Sequence, residues 1–494
     1  MHWRFSQEIP HASDLAKNYF SKILNGRYDS TELRYLAKKI IRGENMSRFK
    51  TNYTDLERKL CSMESCKAVS KVLEQDNLHD LQSIDVLKML AHKHAIAIYD
   101  TGLGKTFLAS AIMKMLHNKE HKSRFIMFVT KNQLLQTPHK IKRLTNFDVI
   151  GTDGTRDSIQ NFIGKAMDYD VTLATYSCLS SQVFMDFFFE HRNDYNCIIV
   201  DEAHKLNNFV TADVGAKLYE IIKKFEYAYA LTATPITTDI EQLARLASIF
   251  DSETYHNYHA LQMSFQYNSY RISDDPCFFV SRNAAAFGRV TAPKGIIVWI
   301  DPMPYQIEAE YSELSDLCKG EGATEQAEAL AQLIQFNKGK RGLVYINRHK
   351  VREWVLPFLD KAGISYRCIN GRTPNDEREE ILKEFNEDKS VDIIITSVTE
   401  ALDLDCDYVI FYEFTSNIKQ MIGRAQRGFT DKNLFVFYMI TDKTKEVDYF
   451  YNNIYKHCEV ASYVLRKDYS EVLDLEDELL EHLTHPEQYV YWGW

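Results

Sequence analysis

The sequence lacks the features of disulfide-stapled, zinc-binding and membrane-spanning proteins. Its nine cysteines are an odd number without a CxxC pair, which argues against a disulfide framework or a zinc ribbon. No apolar run approaches the length of a bilayer span, and the first ten residues, MHWRFSQEIP, hold no signal-peptide core. We therefore expect reduced thiols in a soluble, intracellular protein with no membrane partner.

An excess of positive charge is also absent. The chain has 69 Asp and Glu against 59 Lys and Arg, a formal net charge of −10, so the protein as a whole has no basic footprint of the kind that attracts nucleic acid. Any nucleic-acid contact must therefore come from local patches within an acidic molecule. The charge balance by itself neither indicates nor excludes DNA binding.

The chain does contain two series of short apolar runs that alternate with helical patterns. The first series is IAIYD, FIMFVT, VTLATY, CIIVDEAH and YALTATP, and the second is GLVYIN, YRCIN, DIIITS, YVIFYE and LFVFYMI. Strands that are apolar on both faces and separated by helices are typical of a parallel sheet covered on both sides. The 494 residues thus predict an α/β protein with two parallel-sheet lobes in tandem.

Changes of pattern along the chain predict its regions. In order they are a small helical N-terminal accessory region over residues 1–75, a first lobe over 76–250, a connecting region over 251–290, a second lobe over 291–460 and an acidic, aromatic tail over 461–494. The tail contains EVLDLEDELLEHL and YVYWGW. It could be a docking plug, a partner site or a segment that packs onto its own domain.

The stretch YDTGLGKTFLASAIM, which begins at Tyr99, has the order strand, loop, helix. Gly102 and Gly104 can place backbone N–H groups around a phosphate. Lys105 would supply charge there, and Thr106 a hydroxyl for Mg²⁺. The full phosphate-loop pattern has a glycine six positions before the lysine, where this chain has Tyr99. The alternative is therefore a glycine-rich turn with an incidental lysine.

A second candidate is the acidic pair in CIIVDEAH, where Asp201 and Glu202 follow an apolar run. Polar groups at the carboxyl ends of parallel strands line the binding crevice of an open sheet. One carboxylate can hold a Mg²⁺ ion that bridges nucleotide phosphates, while its neighbour polarises the attacking water. The alternative is a solvated acidic pair after a strand.

The order of these and further motifs resembles that of the superfamily-two helicases and translocases, over about residues 76 to 440. The motifs are LHDLQ, DTGLGKT, VTK, DEAH, LTATP, ITSVTEALDLD and QMIGRAQR. Details such as APKGIIVWIDPMPYQIEAEYSEL and YRCINGRTPNDEREEILKEFN are most similar to the Swi/Snf-type translocases, in a compact version such as viruses and phages have. The resemblance implies two RecA-like lobes that couple ATP hydrolysis, with Mg²⁺, to movement along duplex DNA. The location would then be cytoplasmic or DNA-associated.

The resemblance also implies a nucleotide site. In it Gln82 reads the adenine, Lys105 and Thr106 hold phosphate and Mg²⁺, and Asp405 meets the ribose. Asp201 would hold the metal and Glu202 would be the general base. The loop residues that complete the site are Thr101, Gly102, Leu103 and Gly104. The second lobe would add two catalytic arginines, Arg424 and Arg427, and the residues that couple the lobes would be His204, Thr232, Thr234 and Gln420.

A set of polar residues after the strands would contact the nucleic-acid track. By position these are Lys131, Thr175, Tyr176, Asn347, Gly371, Arg372, Ser397 and Thr399. The segment TSVTEALDLD departs from the family because it has no glycine and carries Glu400 and Asp403, which would repel phosphates. For single residues, ordinary structural roles remain as alternatives: Gln82 as a helix residue and Tyr176 as a core aromatic.

Other functions remain open beside the duplex-DNA translocase. The same motifs would serve a strand-separating or branch-migrating helicase, or an RNA helicase. An ATP-gated binding module without turnover is a further alternative, although the presence of Glu202, Arg424 and Arg427 argues against it. The N-terminal region or the tail could bind a protein partner.

Overall fold

The computed structural model describes most of the chain beyond residue 63. The described residues are 64–117, 123–131, 133–208, 219–236, 239–266, 272, 275, 278–287, 293–307, 309, 318–320, 322–388, 390–397, 402, 404–415, 417–425, 433–465 and 467–484. Nearly all of the predicted N-terminal region, together with Thr399 and Arg427, lies outside them. The chain divides into two compact units, residues 1–286 and 287–494.

The first unit is built on a parallel sheet of seven described strands in the order β3-β4-β2-β5-β6-β1-β7. The strands are β1 His94–Tyr99, β2 Phe125–Val129, β3 Val149–Thr152, β4 Val171–Thr175, β5 Cys197–Asp201, β6 Tyr227–Thr232 and β7 Phe279–Arg282. In β2, β4, β5 and β6 every residue is buried. This burial explains why these strands read as continuous apolar runs rather than as alternating patterns.

Helices connect these strands. They are α1 Glu64–Ser70, α2 Asp80–His92, α3 Lys105–Leu116, α4 Gln133–Thr145, α5 Arg156–Ile163, α6 Gln182–His191, α7 Glu241–Phe250 and α8 Tyr258–Gln266. Parallel neighbours require crossover connections, and helices are the usual crossovers. The helix starts therefore follow the carboxyl ends of strands, as α3 follows β1 and α4 follows β2.

The second unit has a sheet of six described strands in the order β10-β11-β9-β12-β13-β8, again all parallel. The strands are β8 Lys294–Ile300, β9 Gly342–Tyr345, β10 Tyr366–Ile369, β11 Ile393–Thr396, β12 Tyr408–Phe411 and β13 Phe435–Thr441. The helices are α9 Pro304–Ile307, α10 Thr324–Phe336, α11 His349–Lys361, α12 Asn375–Lys383, α13 Ile418–Ala425, α14 Lys445–Phe450, α15 Lys456–Leu465, α16 Ser470–Leu473 and α17 Glu476–His482.

The predicted α/β architecture with two parallel sheets in tandem is confirmed. The core of the second unit explains the apolar runs of its sequence. Aliphatic side chains of β9, β11 and β12 pack with helices α10 and α11; among them are Val344, Ile395, Ile410, Leu330 and Val355. Among the described helices none is both long and apolar enough to cross a membrane.

Candidate nucleotide-binding site and nucleic-acid interface

Three neighbouring strands of the first unit, β5, β6 and β1, end at the same edge of the sheet. The glycine loop follows β1, the acidic pair lies at the end of β5, and the segment LTATP ends β6. Because the strands are parallel, their carboxyl ends bring these motifs together, although more than a hundred residues separate the first from the last. The strand order therefore assembles one site from three motifs.

The loop after β1 has the backbone conformation that its glycines predict. Gly102 and Gly104 have φ values of 79° and 85°, a left-handed region that favours glycine. Gly104 is the N-cap of α3, and no side chain caps this helix end. A Cβ at position 104 would lie 2.6 Å from the Gln82 side-chain nitrogen, so the Gln82 side chain would have to shift to admit one. The first amides of α3 are thus left for an anion.

Gln82 supports this loop through hydrogen bonds of its side chain. Its Oε1 accepts a hydrogen bond from the His79 N–H, 3.0 Å away, and closes a capping box at the start of α2. Its Nε2 donates to the carbonyl oxygen of Leu103 at 2.8 Å. One buried side chain therefore joins the start of α2 to the phosphate loop. That Gln82 also reads the adenine stays a prediction.

Tyr99, at the position where the phosphate-loop pattern has a glycine, is the last residue of β1 and is fully buried. Its hydroxyl donates to Asp85 of α2 at 2.5 Å. Arg282, at the end of β7, donates to both oxygens of Asp85 at 2.7 and 2.6 Å. The Lys88 Nζ lies 3.7 Å from the same carboxylate. The missing glycine is thus replaced by an aromatic anchor that ties the base of the loop to α2 and β7.

The acidic pair is buried and closely linked to its neighbours. Asp201 accepts hydrogen bonds from the Glu202 N–H and from the Gln133 side chain, both at 2.9 Å. Burial, together with the adjacent charge of Glu202, raises the pKa of Asp201 to about 7. Glu202 has a φ of 51°, which is uncommon for a residue other than glycine. The Lys105 Nζ lies 3.9 Å from Glu202 Oε1.

This donor set fits a Mg²⁺ ion. Carboxylate and hydroxyl oxygens are its preferred protein ligands, and Mg²⁺ is commonly held by one or two carboxylates together with substrate phosphates. Asp201 supplies a buried carboxylate, and Thr106 lies in the first turn of α3 beside Lys105. Burial and, after it, the charge of Glu202 raise the Asp201 pKa, and a divalent cation would offset the repulsion between the two carboxylates.

His204 connects the end of β5 to the end of β6. Its Nδ1 lies 3.1 Å from the Thr232 hydroxyl and 3.5 Å from Glu202 Oε2. The same hydroxyl accepts a hydrogen bond from the Thr234 N–H at 3.2 Å. These contacts join the acidic pair to the LTATP segment within the first unit. Coupling to the other lobe stays a prediction for these three residues.

Gln133 was not among the residues that the sequence singled out. It forms a capping box with Thr130, whose N–H donates to Gln133 Oε1 at 2.9 Å, and its amide nitrogen then holds Asp201. The pattern Thr-Lys-Asn-Gln at the start of α4 is a recognisable capping signal. It could have predicted the cap, but not the contact with a residue 68 positions away.

The three predicted track contacts of the first unit differ in exposure. Lys131 is exposed after β2, whereas Thr175 and Tyr176 are buried. The Tyr176 hydroxyl donates to the main-chain carbonyl of Asp201, and the Thr175 hydroxyl lies 2.7 Å from that of Ser177. Tyr176 therefore packs beside the acidic pair, in line with its alternative role as a core aromatic. Nucleic-acid contact stays a prediction for all three residues.

In the second unit, predicted track residues follow three adjacent strands. Asn347 follows β9, Gly371 and Arg372 follow β10, and Ser397 follows β11. Asn347, Gly371 and Arg372 are exposed, and Ser397 is half-buried. They share the carboxyl edge of this sheet, where an open parallel sheet binds its ligand. Thr399 lies outside the described residues.

Asp405 lies shortly before β12 begins, at the amino ends of the strands of this sheet. It forms an ion pair with Arg341, which precedes β9, at 2.8 Å, and its N–H donates to the Asn386 side chain at 3.1 Å. The adjacent Leu404 N–H donates to the Arg424 carbonyl at 3.0 Å. Asp405 is therefore next in sequence to a residue bonded to α13, the helix that carries Gln420 and Arg424. Its contact with a ribose stays a prediction.

Comparisons with known proteins agree with this arrangement. The family model "Type III restriction enzyme, res subunit" matches residues 62–237, and "Helicase conserved C-terminal domain" matches residues 325–429. A human protein, SWI/SNF-related matrix-associated actin-dependent regulator of chromatin subfamily A member 1, is 22% identical over 421 residues, which cover 70% of this chain and 39% of that protein. The chain thus spans about two fifths of the length of this relative.

Two further similarities are to a mouse protein and to a solved structure. The mouse DNA excision repair protein ERCC-6-like 2 is 27% identical over 156 residues, 29% of this chain and 10% of that protein. Among solved structures, the Sulfolobus solfataricus SWI2/SNF2 ATPase core in complex with dsDNA is similar with a TM-score of 0.38 and 16% identity, covering 83% of this chain and 97% of that chain.

The class follows from the matched domains, which lie on the two sheets in turn. The chain is similar to the superfamily-two helicases and translocases, and among its relatives are proteins of the Swi/Snf type. Its two units each hold a parallel sheet with flanking helices, and the matched domains indicate an ATP-hydrolysing enzyme. The family resemblance seen in the sequence is thereby confirmed.

Proposed function

We propose that this protein is a Mg²⁺- and ATP-dependent translocase that couples ATP hydrolysis between its two lobes to movement along duplex DNA. The observation that carries the proposal is the convergence of Lys105, Asp201 and Glu202. Lys105 begins the helix after the phosphate loop, and its Nζ lies 3.9 Å from Glu202 Oε1. Asp201 precedes Glu202 and accepts a hydrogen bond from the Gln133 side chain. Phosphate binding, metal binding and a base thus meet at one sheet edge.

In this mechanism the chain holds ATP mainly through its first lobe. The first amides of α3 and the Lys105 ammonium would bind phosphate oxygens, and Thr106 and Asp201 would hold the Mg²⁺ ion. When bound, Mg²⁺ neutralises the charge of the phosphates. Glu202 accepts the proton of the attacking water at a carboxylate oxygen. His204, which contacts both Glu202 and Thr232, keeps that carboxylate in place.

In this proposal the second lobe supplies further positive charge to the phosphates of ATP. Arg424 lies on α13 and is half-buried, and Arg427 follows it by three positions. Arginine is always charged, and its planar fork matches phosphate oxygens. We assign to this pair the stabilisation of charge on the γ-phosphate when the lobes close on DNA. Track binding would then switch on hydrolysis.

Duplex DNA is proposed as the track. The names of the human and mouse relatives refer to chromatin and to DNA excision repair. On this chain the exposed Arg372, with Asn347 nearby on the same sheet edge, can contact phosphates. Phosphate contacts are tolerant of DNA sequence, as movement along DNA requires. They also weaken as the salt concentration rises.

The test is the steady-state ATPase rate without nucleic acid and with single-stranded DNA, duplex DNA, forked DNA or RNA. Duplex DNA should stimulate most, and a triplex-forming strand on that duplex should be displaced only when ATP is hydrolysed. Stronger stimulation by RNA or single-stranded DNA, or unwinding of the forked substrate, would replace this proposal with one of the helicase alternatives. ATP binding without any turnover would favour the gated binding module.

A further inference from the structure

The C-terminal segment, residues 467–484, has no role in the mechanism above. It follows α15 and contains α16 and α17. The structure packs it onto the second lobe, against β8 and against α13, the helix that carries Gln420 and Arg424. The contacts with these two elements differ in kind, and that difference suggests a function for the segment.

On β8 the segment makes a close backbone contact and a stacking contact. The carbonyl oxygen of Glu471 lies 1.8 Å from where a Cβ of Gly295 would be, so only glycine allows this approach. Farther along, Trp299 donates to Glu478 at 2.6 Å and stacks on His482 with a ring-centroid distance of 4.0 Å. These contacts attach the segment to the edge strand of the sheet.

On α13 the contact is a buried ion pair. The Lys419 Nζ donates to Glu471 Oε2 at 2.8 Å and lies 4.8 Å from the centroid of the Tyr469 ring. The Glu471 side chain is 0% exposed and that of Lys419 is 20% exposed. The other carboxylate oxygen of Glu471 has no hydrogen-bond partner among the described residues. Lys419 is thus the cation that this carboxylate depends on, because a buried charge without a partner is costly.

This pair holds the first turn of α13, whereas the last turn is held by another segment. The N–H groups of Leu404 and Cys406 donate to the carbonyls of Arg424 and Ala425 at 3.0 and 2.8 Å. The whole helix that carries these two attachments has only eight residues. The position of the Arg424 backbone therefore depends on both attachments.

We propose that Glu471 is a positioning residue for Arg424: through Lys419 it fixes the first turn of α13, and the C-terminal segment thereby sets how far the second lobe can stimulate hydrolysis. The inference rests on the proposed role of Arg424 and Arg427. A displacement of about 1 Å at a reacting group can cost about a hundredfold in rate. Loosening this pair should therefore lower turnover more than it lowers stability.

Glu471→Gln tests the inference, with Glu478→Gln as its matched control. Both variants remove one carboxylate charge from the same segment, but Glu478 contacts β8 and not α13. Glu471→Gln should lower the DNA-stimulated kcat about tenfold or more, while KM for ATP stays within about twofold because ATP binds mainly to the first lobe. Glu478→Gln should leave kcat near that of the unchanged protein. Melting temperatures of both variants test whether they are folded.

A double-variant cycle adds the readout that a merely structural role would not give. Lys419→Met and Glu471→Gln should be non-additive in kcat, the double variant being no slower than the slower single one. Additive losses, a normal kcat for Glu471→Gln, or equal losses for Glu471→Gln and Glu478→Gln would overturn the inference. If instead the unchanged protein shows no DNA-stimulated ATPase, it is the proposed function that fails.

Discussion

The side-chain amide of Gln82 donates a hydrogen bond to the main-chain carbonyl of Leu103 at 2.8 Å. Gln133 makes a parallel contact with Asp201. Each glutamine first closes a capping box at the start of its helix and then reaches a different part of the nucleotide site. The starts of α2 and α4 thereby support the loop after β1 and the Asp201 carboxylate.

Gln82→Ala should weaken ATP binding and reduce the preference for adenine. The side-chain amide has two N–H groups, and the structure uses one for Leu103, which leaves the second for the adenine ring. We expect KM for ATP to rise about tenfold, the loss of about 1.4 kcal/mol, and KM for GTP to change less. Steady-state kinetics with both nucleotides measures this. An equal rise for both would limit Gln82 to supporting the loop.

Lys105→Ala should abolish ATP hydrolysis and leave the fold intact. It removes the charge that faces the phosphates, and Lys105 lies at the start of α3 rather than in the core. Lys114→Ala is the matched control, because Lys114 lies at the other end of the same helix and pairs with Glu74. ATPase rates of both variants measure the loss of hydrolysis, and circular dichroism tests whether the fold is intact. More than about a tenth of the normal rate in Lys105→Ala would contradict the phosphate-loop assignment.

Glu202→Gln should hold the protein on DNA in its ATP-bound form. The substitution keeps the shape of the side chain but removes the base. We expect turnover to fall by about a hundredfold or more, and DNA binding in the presence of ATP to become tighter. Fluorescence anisotropy of labelled duplex DNA, with ATP and with ADP, measures the second effect. Unchanged turnover would move the base role to another carboxylate.

Arg424→Ala and Arg427→Ala should each abolish the stimulation of ATPase activity by DNA. An arginine that stabilises charge on the γ-phosphate contributes about 10³-fold or more to the rate, while ATP affinity should fall only modestly. Lys443→Ala, at an exposed position in the second lobe, is the control. Rates with and without duplex DNA, together with nucleotide titrations, separate the two effects. Near-normal stimulation in both arginine variants would refute the two-lobe mechanism.

Arg282→Met should destabilise the first lobe through Asp85. Asp85 is fully buried and would lose the two hydrogen bonds from Arg282, which costs about 3 to 5 kcal/mol for a buried pair broken on one side. Tyr99→Phe removes one hydroxyl contact with the same carboxylate and should cost about 1 to 2 kcal/mol. Chemical denaturation measures both values. A larger loss of stability for Tyr99→Phe than for Arg282→Met would contradict the conclusion that Arg282 is the main partner of Asp85.

Much of the site could be predicted because its signals are local. The spacing of Gly102, Gly104 and Lys105, and the acidic pair after an apolar run, each lie within a few residues of chain and describe one strand end or one helix start. Gln133 and Tyr99 could not be assigned in the same way. The capping role of Gln133 is local, but its contact with Asp201 spans 68 positions, and the buried partner of Tyr99 lies on a preceding helix.

By itself the sequence determined the alternation of strands and helices, the parallel character of both sheets and the glycine conformation of the loop after β1, since apolar periodicity and turn residues act over short distances. Only the tertiary structure decided which side chains meet. Asp85 and Arg282 are 197 residues apart, and Lys419 and Glu471 are 52 apart. Such pairs form because strand order and helix packing bring distant residues into contact, and a carboxylate buried by that packing requires a cation beside it.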